Sequence, residues 1–377
     1  MNIPSFTGFQ DFIFGDINLK LLLCFCLAFV ISFFLIPSIV EIARAKSLFD
    51  EPNHRTSHIQ KTPTLGGLAI FNGVAISLLI FFDFSDFPKF QYTVAGLLII
   101  FFTGFKDDII GIDPLKKLIA QLIAVLITII FGRIFITNLH GFMGVWEINY
   151  HIGILVTMVI IVGITNCFNL MDGIDGLAAS LGMLVSLTFG TWFYLVGEYN
   201  WAIMAAALVG ALLAFFYFNV YGKRNKIFMG DTGALLLGFI MAVMAIKFNE
   251  LNISLHGPWA MRAAPAVSIG IMMVPVYDTI RVFLTRILKN KYPFSPDKTH
   301  IHHYLLQLGL SHFQSTMILV LASMCFIVIS WYLRTLSVAW LLLVLFVVAT
   351  ILSYIPILIV EKSMKMKGTN DCRQKST

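Results

Sequence analysis

Apolar residues in this chain come in long blocks separated by short polar stretches. At about 20 residues per crossing, eleven blocks read as membrane-spanning helices: 19–40, 66–82, 92–105, 115–136, 152–167, 177–196, 201–219, 232–248, 264–286, 314–332 and 336–359. The blocks at 92–105 and 152–167 are the short ones. The pattern predicts an all-α fold, a polytopic transmembrane helix bundle forming one integral-membrane domain over residues 1–377. No internal repeat is visible, which argues against an inverted-repeat transporter. The longest polar connections are 41–65 and 281–313, and no extramembrane domain is expected.

Composition agrees. Apolar residues make up 58% of the chain and charged residues 12%, against about a quarter charged in an average soluble domain. The net charge of +6 sits between the apolar blocks, as expected for loops that set orientation in a membrane. The bilayer is therefore the expected partner and nucleic acid is not. With the N-terminus outside, 20 of the 26 Lys and Arg fall on the cytoplasmic side. That side then holds the basic, histidine-bearing loop 281–313 and the basic tail 361–377. The start of the chain lacks a basic n-region, so its first apolar run reads as a retained helix. The five cysteines show neither metal-ligand spacing nor a disulfide framework.

Carboxylates in or beside a bilayer are costly, so their positions carry information. Four stretches, all on the predicted cytoplasmic side and all at predicted helix ends, hold the unusual polar residues. Asp107-Asp108 are adjacent and cannot share a helix face: one can face a metal or substrate while the other pairs with Lys116 or Lys117. Asn166, Asn169, Asp172 and Asp175 are spaced by three and form one polar stripe if the helix continues through them. Gly173 and Gly176 would let a phosphate-bearing ligand approach the backbone. The same residues would also serve as an ordinary helix cap and turn. Asp231, between two glycines ahead of an apolar helix, suits the helix dipole and equally suits Mg²⁺, which takes one or two carboxylates plus phosphate oxygens. His300, His302 and His303 follow the cations Arg281, Arg286, Lys289, Lys291 and Lys298. Without a cysteine partner they favour phosphate over zinc.

In this order, the motifs resemble those of the polyprenyl-phosphate N-acetylhexosamine-1-phosphate transferases, a glycosyltransferase 4 family. The resemblance runs from Arg55-Thr56-Ser57-His58 and Pro63-Thr64-Leu65-Gly66-Gly67, through Asp107-Asp108 with Lys117 and Gln121, Asn166 to Gly176 and Phe228 to Gly233. It ends at Pro293-Phe294-Ser295-Pro296-Asp297-Lys298-Thr299-His300-Ile301-His302-His303. This last segment is similar to the branch that takes simple UDP-N-acetylhexosamines, and differs from the muramoyl-pentapeptide branch. The bacterial undecaprenyl-phosphate N-acetylglucosamine-1-phosphate transferases, which start O-antigen, enterobacterial common antigen or teichoic acid linkage units, are the members it looks most like. The resemblance implies eleven helices, a cytoplasmic active site in the bacterial inner membrane, and transfer of GlcNAc-1-phosphate from a UDP-sugar to undecaprenyl phosphate with release of UMP. It is compatible with a homodimer.

The resemblance also implies roles. Asp231 is the Mg²⁺ ligand, with Mn²⁺ an alternative ion. Phe228 stacks on the uracil, and Asn169, Asp172 and Asp175 line the nucleotide site, with Asn219 and Lys61 beside them. Lys117 lies near the prenyl phosphate. His302 and His303, with His300, meet the diphosphate, and Arg281 or Lys298 adds charge. Asp107 and Asp108 form the acidic pair that positions or deprotonates the nucleophile. Ala234 stands where many members have Ser, and the loop between Asn219 and Phe228 varies in length. A phosphomonoester with a second pKa of about 6 is mostly dianionic at neutral pH, so in-line attack on the β-phosphorus needs no strong base. The competing readings are a transporter or flippase of lipid-linked or nucleotide sugars, and an intramembrane aspartyl protease built on Asp231 and Asp278. The second lacks the Gly-x-Gly-Asp pattern.

Overall fold

The computed structural model describes residues 15–46, 48, 62–290 and 299–374, with side chains up to residue 362. Packing groups the chain into two compact units, Met1–Met261 and Arg262–Thr377. The first holds α1 (Ile17–Ala45), α2 (Gly66–Phe81), α3 (Phe90–Ile110), α4 (Pro114–Ile130), a hairpin of β1 (Asn138–Phe142) and β2 (Val145–Glu147), α5 (Tyr150–Met171), α6 (Leu177–Leu195), α7 (Tyr199–Phe216) and α8 (Gly230–Leu251). The second holds α9 (Ala264–Ile271), α10 (Met273–Leu288), α11 (Ile301–Gln307), α12 (His312–Tyr332) and α13 (Val338–Gln374). Every expected span has its helix. Among the described residues, seven helices are individually long and apolar enough to cross a membrane, or eight when the bent α9–α10 pair is counted as one span. The chain is a multi-pass membrane helix bundle.

Three features differ from the sequence expectation. The all-α reading missed the two-stranded antiparallel hairpin between α4 and α5, which is too short for a period-2 pattern to stand out. The span expected at 264–286 is broken, with α9 and α10 meeting at 85°. Pro275 has no N–H to give the Ile271 carbonyl, so the helical ladder is interrupted there and restarts with Val276 donating to Met272. The two short blocks are longer as helices, because their polar ends, Lys106 to Ile110 and Phe168 to Met171, remain helical.

In the first unit α8 is the central element. It packs against α2, α3, α5 and α6, and almost all of its residues are buried. A helix apolar on every side is stable only when surrounded. The helix spans roughly 33 Å at 1.5 Å per residue, close to the ~30 Å of a hydrocarbon core. Its first turn is packed backbone to backbone: a Cβ on Gly67 would collide with the Gly233 backbone and come within 2.6 Å of the Thr232 side chain. Large apolar side chains such as Phe34, Phe102, Leu155, Val159 and Leu187 stay exposed, as lipid-facing positions should in a chain whose solvent is hydrocarbon. Gly67→Ala is expected to lower stability by about 1–3 kcal/mol through overpacking, measured as thermal unfolding in detergent.

Candidate active site

The site begins where α3 turns into α4. Gly111 ends α3, and Asp113 caps α4 by accepting from the N–H groups of Leu115 and Lys116, with Pro114 at the first helical position. This tight turn brings Lys117 back beside Asp107. Asp107 Oδ1 accepts from the Ile112 N–H at 2.7 Å, and Oδ2 meets Lys117 Nζ at 2.7 Å. Lys117 Nζ also reaches Asp231 Oδ2 at 2.9 Å, so one ammonium bridges two carboxylates. Asp231 keeps 35% of its side chain exposed, against 11% for Asp107. Of the two, Asp231 is the more exposed.

Asp108 does something else. Its Oδ1 accepts from the Asp231 N–H at 2.7 Å, and Oδ2 from the Thr232 N–H at 3.0 Å and from the Thr232 hydroxyl. The first N–H groups of a helix have no partner within it, and here a carboxylate from another helix supplies one. One half of the division expected for the pair is found, the pairing of Asp107 with Lys117. The second carboxylate, however, holds the start of α8 instead of facing open space. Gly230 is required at this point. Its φ is +70°, and a Cβ would fall 2.7 Å from both Asp108 oxygens. The approach to α8 is fixed by a short extended pairing, with Phe228 N–H donating to Pro63 and Gly66 and Gly67 N–H donating to Phe228 and Met229.

The stripe expected through Asn166, Asn169, Asp172 and Asp175 is helical only through its first two members. Helix α5 stops at Met171, Asp172 is its C-cap, and residues 172–176 form a turn, as the two glycines dictate. Asn166 donates to Gln121 Oε1 at 2.8 Å, tying α5 to α4, and Asn169 is partly buried one turn before the end. Asn219 lies in a π-helical turn, Tyr217–Tyr221, that extends α7. Its Oδ1 accepts from Gly176 N–H at 2.6 Å and its Nδ2 donates to the Ile227 carbonyl at 2.8 Å. Asn219 thus braces the Asp172–Gly176 turn against the approach to α8. Asp175 Oδ2 pairs with Lys226 Nζ at 2.7 Å, and that ammonium lies 5.7 Å from the centre of the half-buried Phe228 ring. Lys61 and the segments Arg55–His58 and Pro293–Lys298 lie outside the described residues.

Acidic groups outnumber cations here. Asp172 is densely surrounded while keeping some exposed surface. Burial first, then the charges of Asp231, Asp108 and Asp175, push its pKa up to about 7. Burial first, and then neighbouring acidic groups, raise the proton affinity of Asp108, Asp172 and Asp231, while Lys117 sits between Asp107 and Asp231; such a cluster fits a hard divalent cation in charge and donor type. Among the described residues no three His, Cys, Asp or Glu already surround a common point.

The second unit gathers the histidines. Asp278, fully buried on α10, accepts from Arg281 at 2.7 Å, His300 Nδ1 at 2.8 Å and the Ile301 N–H at 3.2 Å. Arg281 also donates to the Thr299 carbonyl at 2.6 Å. The expectation that Asp278 pairs with a nearby arginine holds, and the protease reading loses its second aspartate to this clamp. The His300 and His302 rings are parallel at 5.6 Å, and His302 and His303 lie 4.2 Å apart. His302 is 1% exposed. Burial, reinforced by His303, drives its pKa down to about 3, so its ring is neutral at pH 7. His303 is the half-buried member, with a face toward the surface.

A family model described as glycosyl transferase family 4 matches residues 90–249. Among curated relatives, a decaprenyl-phosphate N-acetylglucosaminephosphotransferase of Mycolicibacterium smegmatis is 32% identical, over 72% of this chain and 71% of its own length. The chain belongs to glycosyl transferase family 4. A probable undecaprenyl-phosphate N-acetylglucosaminyl 1-phosphate transferase of Bacillus subtilis is 29% identical over 87% of this chain and 89% of its own. An undecaprenyl-phosphate alpha-N-acetylglucosaminyl 1-phosphate transferase of Escherichia coli K12 is 28% identical over 75% and 76%.

The family 4 match contains the whole carboxylate cluster with Lys117, Asn219 and Phe228, and none of His300, His302 and His303. Two contributors escaped the sequence reading of this family 4 chain. Lys226 is one basic residue among several in its loop, and only the fold aims it at Asp175. Thr232 reads as an ordinary helix residue until Asp108 is seen on its hydroxyl.

Two outcomes follow for the family 4 site. Asp108→Asn puts an NH₂ group against N–H donors. It is expected to cost about 1–3 kcal/mol of stability and to lower turnover about 10²-fold through misplacement of Asp231. Asp231→Asn should abolish turnover while changing stability by no more than about 1 kcal/mol. Thermal unfolding and turnover on the same samples separate the two. For Asp172 the folded pKa lies above the unfolded one, so between about pH 4 and pH 7 the folded state holds more protons. Metal-free stability should therefore fall as pH rises through that window, and Asp172→Asn should flatten the slope in unfolding curves recorded with a chelator.

Proposed function

We propose that this protein transfers GlcNAc-1-phosphate from UDP-GlcNAc to undecaprenyl phosphate at the cytoplasmic face of the bacterial inner membrane, releasing UMP and starting a cell-envelope polysaccharide. The observation that carries the reading is the bridge Asp107–Lys117–Asp231 at the open N-terminus of the central helix. The named relatives support a polyprenyl phosphate as acceptor and GlcNAc-1-phosphate as the group moved. The excess of Lys and Arg on the loops of one side supports a cytoplasmic site and eleven crossings with the N-terminus outside.

Both substrates are anions, so the first task is to offset repulsion. Lys117 keeps a positive charge at the spot where the lipid phosphate arrives. Mg²⁺, held by Asp231 with Asp172 or Asp107 nearby, would supply Lewis-acid charge neutralisation on the diphosphate. Asp108 holds α8 so that Asp231 and the positive end of the helix dipole face the same point. Phe228 offers a partly exposed ring to the uracil, with the Lys226 ammonium, paired to Asp175, 5.7 Å from the ring centre. Asp107 and Asp108 both have their oxygens engaged by donors, so neither serves as a free base. The dianionic prenyl phosphate needs none, and single in-line displacement follows. His303 is the histidine with surface to offer an anion.

The transporter reading is not favoured: α8 carries no charged residue from Thr232 to Ile246, where a substrate path through the middle of the bilayer would need polar groups. Purified protein with undecaprenyl phosphate and a panel of UDP-sugars should release UMP only with a divalent cation, fastest with UDP-GlcNAc. Release from another UDP-sugar alone would reassign the donor. A labelled sugar-phosphate trapped on the enzyme without acceptor would replace the single displacement with a covalent route.

A further inference from the structure

The face of the first unit opposite the acidic cluster carries a second built feature. Asp231 begins α8, and the other end of that helix holds the β1–β2 hairpin. Glu250 accepts from Thr137 N–H and hydroxyl, both at 2.8 Å, and the Asn249 carbonyl meets His140 Nε2 at 3.1 Å. Ile136 N–H donates to Thr157 on α5 at 2.9 Å. The hairpin is therefore fastened to two spanning helices within one turn or two of their ends, at the level where hydrocarbon gives way to headgroups.

Its tip is unusual. Met143 and Gly144 both have positive φ, +50° and +85°, between the paired Phe142 and Val145. This is the two-residue turn that Asn-Gly or Asp-Gly normally fills. A methionine there is strained, and its side chain is 81% exposed. Trp146 lies against Gly141, where a Cβ would meet its ring at 2.9 Å, yet 57% of it is exposed. Val145 is exposed between them. In water, a strained backbone presenting three apolar side chains is unfavourable on both counts.

The surroundings identify the occupant. The exposed apolar surface continues along the chain into Tyr150 and the stripe Ile152, Leu155 and Val159 of α5, which has the spacing of one lipid-facing helix face. No Lys or Arg occurs between Ile134 and Ile152, so attraction to anionic headgroups is not the basis. Tryptophan beside apolar residues at a span boundary is the signature of the membrane interface. We infer that the hairpin tip, Met143 with Val145 and Trp146, inserts into the headgroup–acyl boundary of the leaflet opposite the acidic cluster and anchors the first unit there. This goes beyond the transfer reaction and does not depend on it.

The test reconstitutes the full chain in phosphatidylcholine vesicles with and without brominated acyl chains. The fluorescence of the Trp146→Phe variant is subtracted from that of the unaltered protein, so the other tryptophans cancel. Brominated lipid should quench the Trp146 increment at least twofold, and aqueous iodide should quench it several-fold less than free tryptophanamide. Met143→Asn suits the turn better and should keep the thermal midpoint in detergent while reducing the bromolipid quenching, a check that survives if the Trp146 variant folds poorly. An increment untouched by brominated lipid and open to iodide would overturn the inference. So would efficient disulfide crosslinking of Trp146→Cys between copies in vesicles, which would assign the tip to a second molecule.

Discussion

A buried helix cannot simply begin. Its first N–H groups need acceptors, and at a membrane boundary packed on all sides water is a poor supplier. In this chain the central helix α8 begins on the carboxylate of Asp108, which takes two N–H groups and the Thr232 hydroxyl. Much of the site follows from that one capping interaction. Gly230 must be glycine because the carboxylate sits where a Cβ would go. Gly67 must be small because the Gly66–Gly67 segment is drawn against the same turn. Asp231, one residue past Gly230, is left pointing outward with its side chain partly exposed.

The second consequence is electrostatic. Bringing Asp107, Asp108, Asp172 and Asp231 to one helix end concentrates negative charge where desolvation is already strong, and Lys117 can meet only two of them. The upward push on Asp172 expresses the shortfall. In the function proposed above the site binds a nucleotide diphosphate and a lipid phosphate, and such a site would normally be basic. An acidic one makes sense when a divalent ion is part of what binds, because the carboxylates then hold the cation that the phosphates need. Capping and the proposed metal binding thus draw on the same residue type for opposite reasons. Asp108 spends its charge on N–H dipoles, and Asp231 shares Lys117 with Asp107 while its side chain stays partly exposed.

How much of this could be read in the sequence depends on whether the signal is local. The multi-pass helix bundle was legible because long apolar blocks are a local property, and Asp107, Lys117 and Asp231 stood out because charge near hydrocarbon is rare. The roles within the pair Asp107-Asp108 were not legible, since which carboxylate meets α8 depends on how α3 packs on it. The polar stripe was half right: spacing by three places Asn166 and Asn169 on one helix face, while Gly173 and Gly176 end the helix before Asp172 can join them. Asn219 reads as a ligand residue by motif, yet the fold commits both ends of its amide to main chain. Lys226 carried no local mark at all, and the break at Pro275 was hidden inside a stretch of uniform hydropathy.

A rigid α8 also connects depth on the two faces. The lipid phosphate occupies a narrow layer, so Asp231 must sit at a definite height relative to the bilayer. A helix about as long as the hydrocarbon is thick would drift by several ångströms through tilting unless something resists. Positive loops resist on the acidic side, but they follow the headgroups loosely. The hairpin clamped to Asn249 and Glu250 gives the far end of the same helix an apolar grip on the opposite boundary. With α8 as a nearly incompressible strut, gripping one boundary sets the height of the carboxylates at the other. The strain at Met143 and the charge at Asp231 are then two ends of one device that holds a polar site at the level of a lipid headgroup.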